Sequence, residues 1–374
     1  MSQERRPRRA TIRDVAESAG VSIGTASKAL NGQGKLRPET IERVLHAAQQ
    51  LGFAPNTLAQ ALLAGRSFTV GLITTDSFGR FSIPVMLGAE DALGTGQVSV
   101  FMCDTRDDPE REQRYVEMLW ARRVDGLIVT GRRIEPRPPL QALAGIPVVY
   151  AMTQPAAPEG GGSRTAGTGT DGTGTDGTGT AGGRGGTDGG AGGSAGAVLP
   201  DDEGGGFAAA AHLIAIGRRR IAHIAGPKRF LAARLRARGF AAALSAEGLK
   251  PCGEIRFGEW TEHWGREAAG LLLADRPDAI FCASDQIARG VSDTLRAVGR
   301  RIPDDVALVG FDNWLPIAMG ALPPLTSVDP CLETVGRVAA TRLLAAIGGE
   351  QDSTVERVPA RLAIRESTGG YPAP

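Results

Sequence analysis

TIRDVAESAGVSIGTASKALN, residues 11–31, is the stretch that decides how the rest of the chain is read. Thr11 stands three residues ahead of Asp14, the spacing at which a hydroxyl and a carboxylate satisfy the free backbone N–H groups of a helix start. Ile12, Val15, Ala16 and Ala19 fall on one face of the helix so begun, and Gly20 ends it. Val21 makes the turn, and Ser22 caps a second helix running to Leu30. A third runs from Pro38, a favoured first helical residue, to Leu51, with Gly52 behind it. The spacing predicts a compact three-helix unit in which Ala26, Ala29 and Leu30 pack inward against Val15, Ala16, Val44 and Leu45.

The charge is concentrated at this end. Residues 1–67 hold ten Lys/Arg against five Asp/Glu, hence +5, which leaves −4 on the remainder of a 374-residue chain whose net formal charge is +1. That is where a polyanion would be gripped. A chain of this length invites two or three domains. No apolar run approaches the roughly 20 residues that span a bilayer, and residues 1–9 are polar and arginine-rich, so we expect a cytoplasmic protein with no membrane partner. Cys103, Cys252, Cys282 and Cys331 are far apart, and His46, His212, His223 and His263 form no close pair, so buried reduced thiols are expected and no metal site.

Residues 58–65, LAQALLAG, read as a linker helix. From residue 69, apolar strand-like runs (TVGLIT, QVSVFMC, DGLIVT, PVVYAM) alternate with amphipathic helices, the βαβ rhythm of a parallel sheet. The rhythm breaks and resumes through RIAHIAG, DAIFCAS and VALVGFD, ending in a helix over 332–347 and a strand over 355–364. The expected fold class is therefore α/β: a three-helix helix-turn-helix domain over 1–54, a hinge helix over 55–67, and two α/β lobes over 68–374. Residues 155–196 contain no Val, Leu, Ile, Met, Phe, Trp or Tyr, so a Gly/Thr-rich insertion over 155–197 is expected to be a disordered loop. Its GxGxxG match, Gly167, Gly169 and Gly172, is followed by no helix pattern and carries no dinucleotide reading.

A helix lying in the DNA major groove needs small or polar residues at its N-terminal end, so that the backbone comes close and side chains reach base edges. SIGTASKALN supplies them. Ile23, Gly24, Ser27 and Lys28 would face bases, while Thr11, Ser22, Thr25 and Asn31 suit phosphate contacts, which hold register rather than read sequence. Thr40 completes the DNA-binding set of the three-helix unit.

Residues 11–32, followed by PETIERVLHAAQQLGFAPNTLAQALLAG (38–65), resemble the headpiece and hinge of the LacI family of transcriptional regulators. The resemblance implies that Ile23, Gly24 and Lys28 set operator preference, Lys28 contacting guanine and Ile23 a thymine methyl. It also implies that the hinge folds when two copies meet on DNA. Leu62 then wedges between base steps of the minor groove, with Asn56 and Ala59 along the groove and Phe53 near the backbone; a buried hinge residue would also be a leucine there. The two lobes resemble periplasmic sugar-binding proteins, most specifically at IPDDVALVGFDNW (302–314) and PPLTSVD (323–329).

A ligand would then lie between the lobes, which agrees with the rule that open α/β sheets bind at the carboxyl ends of their strands. The candidates there are Asp76, Phe81, Asp104, Arg236, Trp260, Asp285 and Asp312; Arg236 and Asp312 match effector positions of the resemblance most directly. Asp285 and Asp312 also stand where helix caps would, and Trp260 or Trp314 where lobe packing would put an aromatic. Met152 and Ser284 depart from the pattern of sugar-binding relatives. No P-loop, GxSxG elbow or metal-ligand cluster suggests an enzyme or a cofactor. The expected function is that of a homodimeric repressor, bound to palindromic double-stranded operator DNA and released by a small-molecule effector such as a sugar. A corepressor arrangement and a plain solute-binding protein are the alternatives.

Overall fold

The computed structural model describes residues 10–30, 34–53, 66–94, 98–140, 145–156, 194–350 and 352–370. Asn31, the expected hinge positions Asn56, Ala59 and Leu62, and most of the expected insertion lie outside the described residues. The chain divides into two units, Met1–Ser67 and Phe68–Pro374.

In the first unit, α1 (Ile12–Ser18), α2 (Ile23–Leu30) and α3 (Pro38–Gln50) close around Val15, Ala16, Ala19, Ala26, Ala29, Val44, Ala47 and Ala48. Six of these eight are alanines, whose small side chains let short helices approach closely. The capping box at Thr11 is formed: the Thr11 N–H donates to Asp14 at 2.7 Å and the Asp14 N–H to the Thr11 hydroxyl at 3.4 Å. Gly20 takes a φ of +65°, which L side chains rarely adopt, and the Val21 N–H returns to the Ala16 carbonyl to turn the chain into α2. One packing expectation is corrected. Leu45 is half-exposed on the outer face of α3, and Ala47 and Ala48 fill the place assigned to it.

The second unit holds two six-stranded sheets. In chain order come β1 (Thr69–Thr74), α4 (Ser82–Leu93), β2 (Ser99–Asp104), α5 (Pro109–Ala121), β3 (Gly126–Thr130), β4 (Pro136–Arg137), β5 (Val148–Ala151), β6 (Gln154–Pro155) and β7 (Ser194–Pro200). The chain then crosses into α6 (Asp202–Ala215), β8 (Ile221–Ala225), α7 (Leu231–Ala246), β9 (Arg256–Phe257), α8 (Glu262–Leu272), β10 (Ala279–Cys282), α9 (Asp285–Ala297), β11 (Ala307–Phe311), α10 (Leu315–Ala318) and β12 (Thr326–Asp329). It returns through α11 (Leu332–Ile347) and β13 (Val355–Val358) before ending in β14 (Arg361–Ala363).

The first sheet runs β13-β7-β5-β3-β1-β2, parallel throughout; the second runs β14-β12-β11-β10-β8-β9, with only β14 antiparallel. The strand expected over 355–364 is thus two strands, one in each lobe. The insertion expected over 155–197 is narrower than the sequence suggested, because Gln154–Pro155 pair with β4 and Ser194–Pro200 form a central strand beside β5.

Both faces of each sheet are covered, as parallel sheets require. In the first lobe Val70, Leu72, Ile128 and Val149 face α4 and α11, while Ile73, Leu127, Val129 and Tyr150 face α5. In the second, Ile224, Ile280 and Leu308 face α8 and α9, while Phe281, Val309 and Phe311 face α6 and α7. Helices α6 and α7 touch backbone to backbone: a Cβ on Gly239 would lie 1.9 Å from the Glu203 carbonyl oxygen, and one on Gly206 would lie 2.2 Å from that of Arg236. This approach brings Arg236 to Asp202.

A polar pin holds the exit of β11. Asp285, at the start of α9, accepts the Ser327 hydroxyl at 2.6 Å and the Trp314 N–H at 2.7 Å. It thereby holds a turn in which Asp312 and Asn313 both have positive φ, 98° and 46°. Burial, then the charge of Asp312, pushes the Asp285 carboxyl from 3.8 to about 7. Between about pH 4 and pH 7 the folded chain keeps a proton that the unfolded chain has released, so this group lowers stability as pH rises through that window and changes nothing above it. His223, stacked 4.6 Å from Phe281 and pushed by burial down to about 4, acts with the opposite sign between about pH 4 and pH 6.5.

Two outcomes are expected. In Asp285→Asn the amide oxygen accepts the Trp314 N–H and the NH2 donates to Ser327. In thermal melts near pH 5 and near pH 8 the variant should therefore gain stability relative to wild type at the higher pH; parallel curves would show that Asp285 does not titrate in this window. Gly239→Val should lower stability by about 3 kcal/mol in denaturant titration, since the methyls must push two helix backbones apart.

Candidate functional site

The first unit presents α2 with its N-terminal end in solvent. The Thr25 N–H donates to the Ser22 hydroxyl at 3.1 Å, which satisfies one open donor of the helix start. Ala26 and Ala29 hold the inner face, leaving Ser22, Ile23, Gly24 and Lys28 exposed and Thr25 and Ser27 half-buried. Thr11 is exposed and Thr40 is half-buried near the start of α3. Phe53 is partly buried, packed against the alanine core.

In the second unit the strands of both sheets deliver their carboxyl ends to a cleft of about 240 Å³ between the lobes. Its central group is Arg236 of α7, 8% exposed. The Arg236 Nε donates to Asp202 at 2.7 Å and its Nη1 to the Ala283 carbonyl at 2.6 Å and to Asp312 at 3.5 Å. Its guanidinium lies 3.5 Å from the centroid of Phe311 and 5.7 Å from that of Trp260. Burial raises the Asp202 carboxyl against the pull of Arg236, and Asp202 Oδ2, in the cleft wall, has no hydrogen-bond partner. Phe81, Phe230 and Trp260 supply aromatic surface, Phe230 and Trp260 stacked at 6.3 Å. Aromatic faces beside a few fixed polar atoms suit a ligand with apolar ring faces and hydroxyl edges.

Two first-lobe residues, Arg80 and Glu135, tie the lobes across the cleft. Arg80, just before α4, donates from Nη2 to Asp312 and from Nη1 to Gln286 at 2.9 Å, and its guanidinium lies over Phe81 and Trp314 at 5.0 and 4.5 Å. On the other side the Glu135 carboxylate accepts the Leu231 N–H at 2.5 Å, so a residue of the first lobe caps α7 of the second, whose own cap residue, Phe230, offers no acceptor.

Four of the seven expected effector residues, Phe81, Arg236, Trp260 and Asp312, line the cleft, and Met152 does too. The other three are taken up by the fold. Asp76 accepts the N–H groups of Phe81 and Ser82 at 2.7 and 3.0 Å and caps α4; Asp104 accepts the Arg106 N–H at 2.9 Å in a turn; Asp285 is the pin already described. None of these three lines the cleft. Among the lining residues that sequence reading missed are Arg80, Arg132, Arg133, Glu135, Asp202, Phe230 and Gln286. The signal was present: RRIE (132–135) follows β3 and KRF (228–230) follows β8, both at strand ends. Of the expected buried thiols, Cys103 and Cys282 are buried, Cys252 and Cys331 are half-buried, and all four are free.

Comparison with known proteins bears on both units. A family model for bacterial regulatory proteins of the lacI family matches residues 11–56, and one for a periplasmic binding protein-like domain matches residues 210–368. The HTH-type transcriptional regulator CelR of Thermobifida fusca is 34% identical over 97% of this chain and 99% of its own. The HTH-type transcriptional repressor PurR of Haemophilus influenzae (strain PittEE) is 30% identical over 96% of this chain and 98% of its own. Among solved structures, a transcriptional regulator CelR–cellobiose complex is similar with a TM-score of 0.60 at 30% identity, covering 96% of this chain and all of that one. The lac repressor dimer bound to operator and the anti-inducer ONPF has a TM-score of 0.63 at 24% identity, which shows a shared fold. With a helix-turn-helix unit ahead of a two-lobed binding-protein fold, and full-length relatives built the same way, the chain belongs to the lacI family of bacterial regulatory proteins.

Proposed function

We propose that this protein is a sequence-specific DNA-binding repressor, which holds a palindromic operator as a homodimer and releases it when a sugar enters the cleft between its lobes. The observation that carries the reading is that one chain combines an exposed, small and polar helix start, Ser22 to Lys28, with a cleft lined by a buried arginine, carboxylates and aromatic faces. Two-fold symmetry of the protein then demands two-fold symmetry of the DNA. On this reading Thr11, Ser22, Thr25 and Thr40 hold phosphates, Ile23, Gly24, Ser27 and Lys28 meet bases, and Arg236, Asp202, Asp312 and Trp260 hold the effector. The cellobiose complex of a CelR regulator 30% identical to this chain supports a saccharide over other small molecules. The protein so described works in the cytoplasm, where its operator lies, and catalyses nothing. Effector and operator are linked reciprocally: whatever factor the sugar takes from operator affinity, operator takes from sugar affinity.

The test is selection of bound sequences from random duplex DNA by the full-length protein, with affinity then followed across a salt series and against sugars. Enrichment of a palindrome of about 14 to 20 base pairs and a steep salt slope are expected; enrichment of no sequence would sink the DNA reading. Lys28→Ala should relax discrimination at one base position per half-site by about 1 to 3 kcal/mol, measured by competition with operators mutated there. Arg236→Lys, which keeps the charge and loses the planar fork, should weaken the effector at least about tenfold while leaving effector-free operator affinity unchanged. A parallel loss of operator binding would assign the weakened effector binding to a disturbed fold.

A further inference from the structure

Beside the cleft lies a second cavity of about 460 Å³ that the reading above does not use. It sits at the carboxyl ends of the first-lobe strands, and its wall carries a threonine from each of four strand ends: Thr75 after β1, Thr105 after β2, Thr130 at the end of β3 and Thr153 after β5. Thr105 and Thr130 are 1% exposed and Thr153 is 4% exposed. The Thr130 hydroxyl has no hydrogen-bond partner, an arrangement that destabilises a fold unless something else supplies the bond.

The rim carries three arginines, Arg132, Arg133 and Arg137, against four carboxylates, Asp107, Asp108, Glu112 and Glu135. Arg132 pairs with Asp107 and Arg137 with Glu112, both at 2.5 Å, while Asp108 accepts the Glu110 and Arg111 N–H groups at the start of α5. Such a chamber offers hydroxyls that both donate and accept, and among the described residues of its rim the carboxylates outnumber the arginines, which disfavours a phosphate or a carboxylate.

The two cavities meet along one segment, since Arg132, Arg133 and Glu135 line both. On its opposite side the cleft is shut by the Arg80–Asp312 pair, so a ligand can lengthen past residues 132–135 without breaking a buried ion pair. The cleft alone is smaller than the roughly 300 to 1,000 Å³ of ordinary ligand sites, whereas cleft and chamber together fall within that range.

Resting on the saccharide reading above, we infer that the effector is an uncharged saccharide of at least two rings, one ring against Trp260 and Phe230 in the cleft and the next in the threonine chamber, hydrogen-bonded to Thr130. Thr130 is then a specificity residue for ligand length. Its replacement by valine, nearly isosteric, removes a hydroxyl that the unliganded fold leaves unsatisfied, so it should not lower the melting temperature.

The experiment is titration calorimetry on the full-length protein with matched pairs: glucose with cellobiose and maltose, galactose with lactose, and xylose with xylobiose. Operator release by each sugar is followed in parallel. At least one disaccharide should bind about tenfold or more tightly than its monosaccharide. Thr130→Val should erase most of that advantage, with monosaccharide affinity and melting temperature held. Equal binding of both members of every pair that binds would overturn the two-ring inference and leave the sugar reading standing. A Thr130→Val variant that melts lower and loses all sugars alike would overturn it too, by making Thr130 a packing residue. If no sugar binds or releases operator, the saccharide reading falls and the inference falls with it.

Discussion

A guanidinium stays charged at any pH a protein meets, so burying one obliges the surroundings to supply acceptors. Arg236 is that constraint in the ligand-binding unit. Gly206 and Gly239 let α6 and α7 close until Asp202 reaches its Nε, the carbonyl of Ala283 takes Nη1, and Phe311 covers its face. Asp312 answers the same charge from the end of β11, but it does so from a backbone with φ of 98°, which other bonds must hold. Asp285 grips the Trp314 N–H, Ser327 the Asn313 N–H, and Arg365 the Asn313 side chain. Asp285 pushed up to about 7 is a by-product, because it is buried and its neighbour Asp312 already carries the charge that Arg236 needs.

The same economy of partners explains how the lobes meet. Arg80 stacks between Phe81 and Trp314 and shares the Asp312 carboxylate with Arg236, so each carboxylate oxygen of Asp312 faces a different lobe. Glu135 does the corresponding work on the far side by completing the start of α7. Both ties are hydrogen-bonded and partly buried, and each uses groups in the cleft wall. A ligand that accepts from Arg236 or displaces Glu135 therefore changes the balance between lobe arrangements by its own differential contacts, as any conformational effect of binding must.

How much of this was legible varied with the scale of the pattern. The three-helix unit was read nearly whole, because Thr11, Ser22 and Pro38 mark helix starts by local hydrogen bonding and stereochemistry, which need no distant partner. The alternation of strands and helices was likewise visible. The division of residues 355–364 between two lobes was not, since β13 and β14 are separate strands only by virtue of partners more than thirty residues distant along the chain, β7 and β12. Leu45 was misassigned for a smaller reason: the inner stripe of α3 runs through Ile41, Val44, Ala47 and Ala48, and Leu45 lies about 100° round the helix from Val44.

The site residues show where sequence reasoning loses its grip. A carboxylate at the carboxyl end of a parallel strand has two uses, because the helix that follows opens with unsatisfied N–H groups and the ligand lies nearby. Asp76, Asp104 and Asp285 went to the backbone; Asp202 and Asp312 went to Arg236 and the cleft. Nothing in composition separates the two groups. What separates them is whether a backbone N–H stands within reach when the chain has folded, and that depends on the helix start: α4 needs Asp76 because Phe81, its cap residue, provides no side-chain acceptor. For Asp202 the neighbouring Asp201 already accepts the Gly204 N–H at 2.9 Å, and the second carboxylate is released for Arg236. Two adjacent aspartates at a helix start thus divide the work, one for the helix and one for the site.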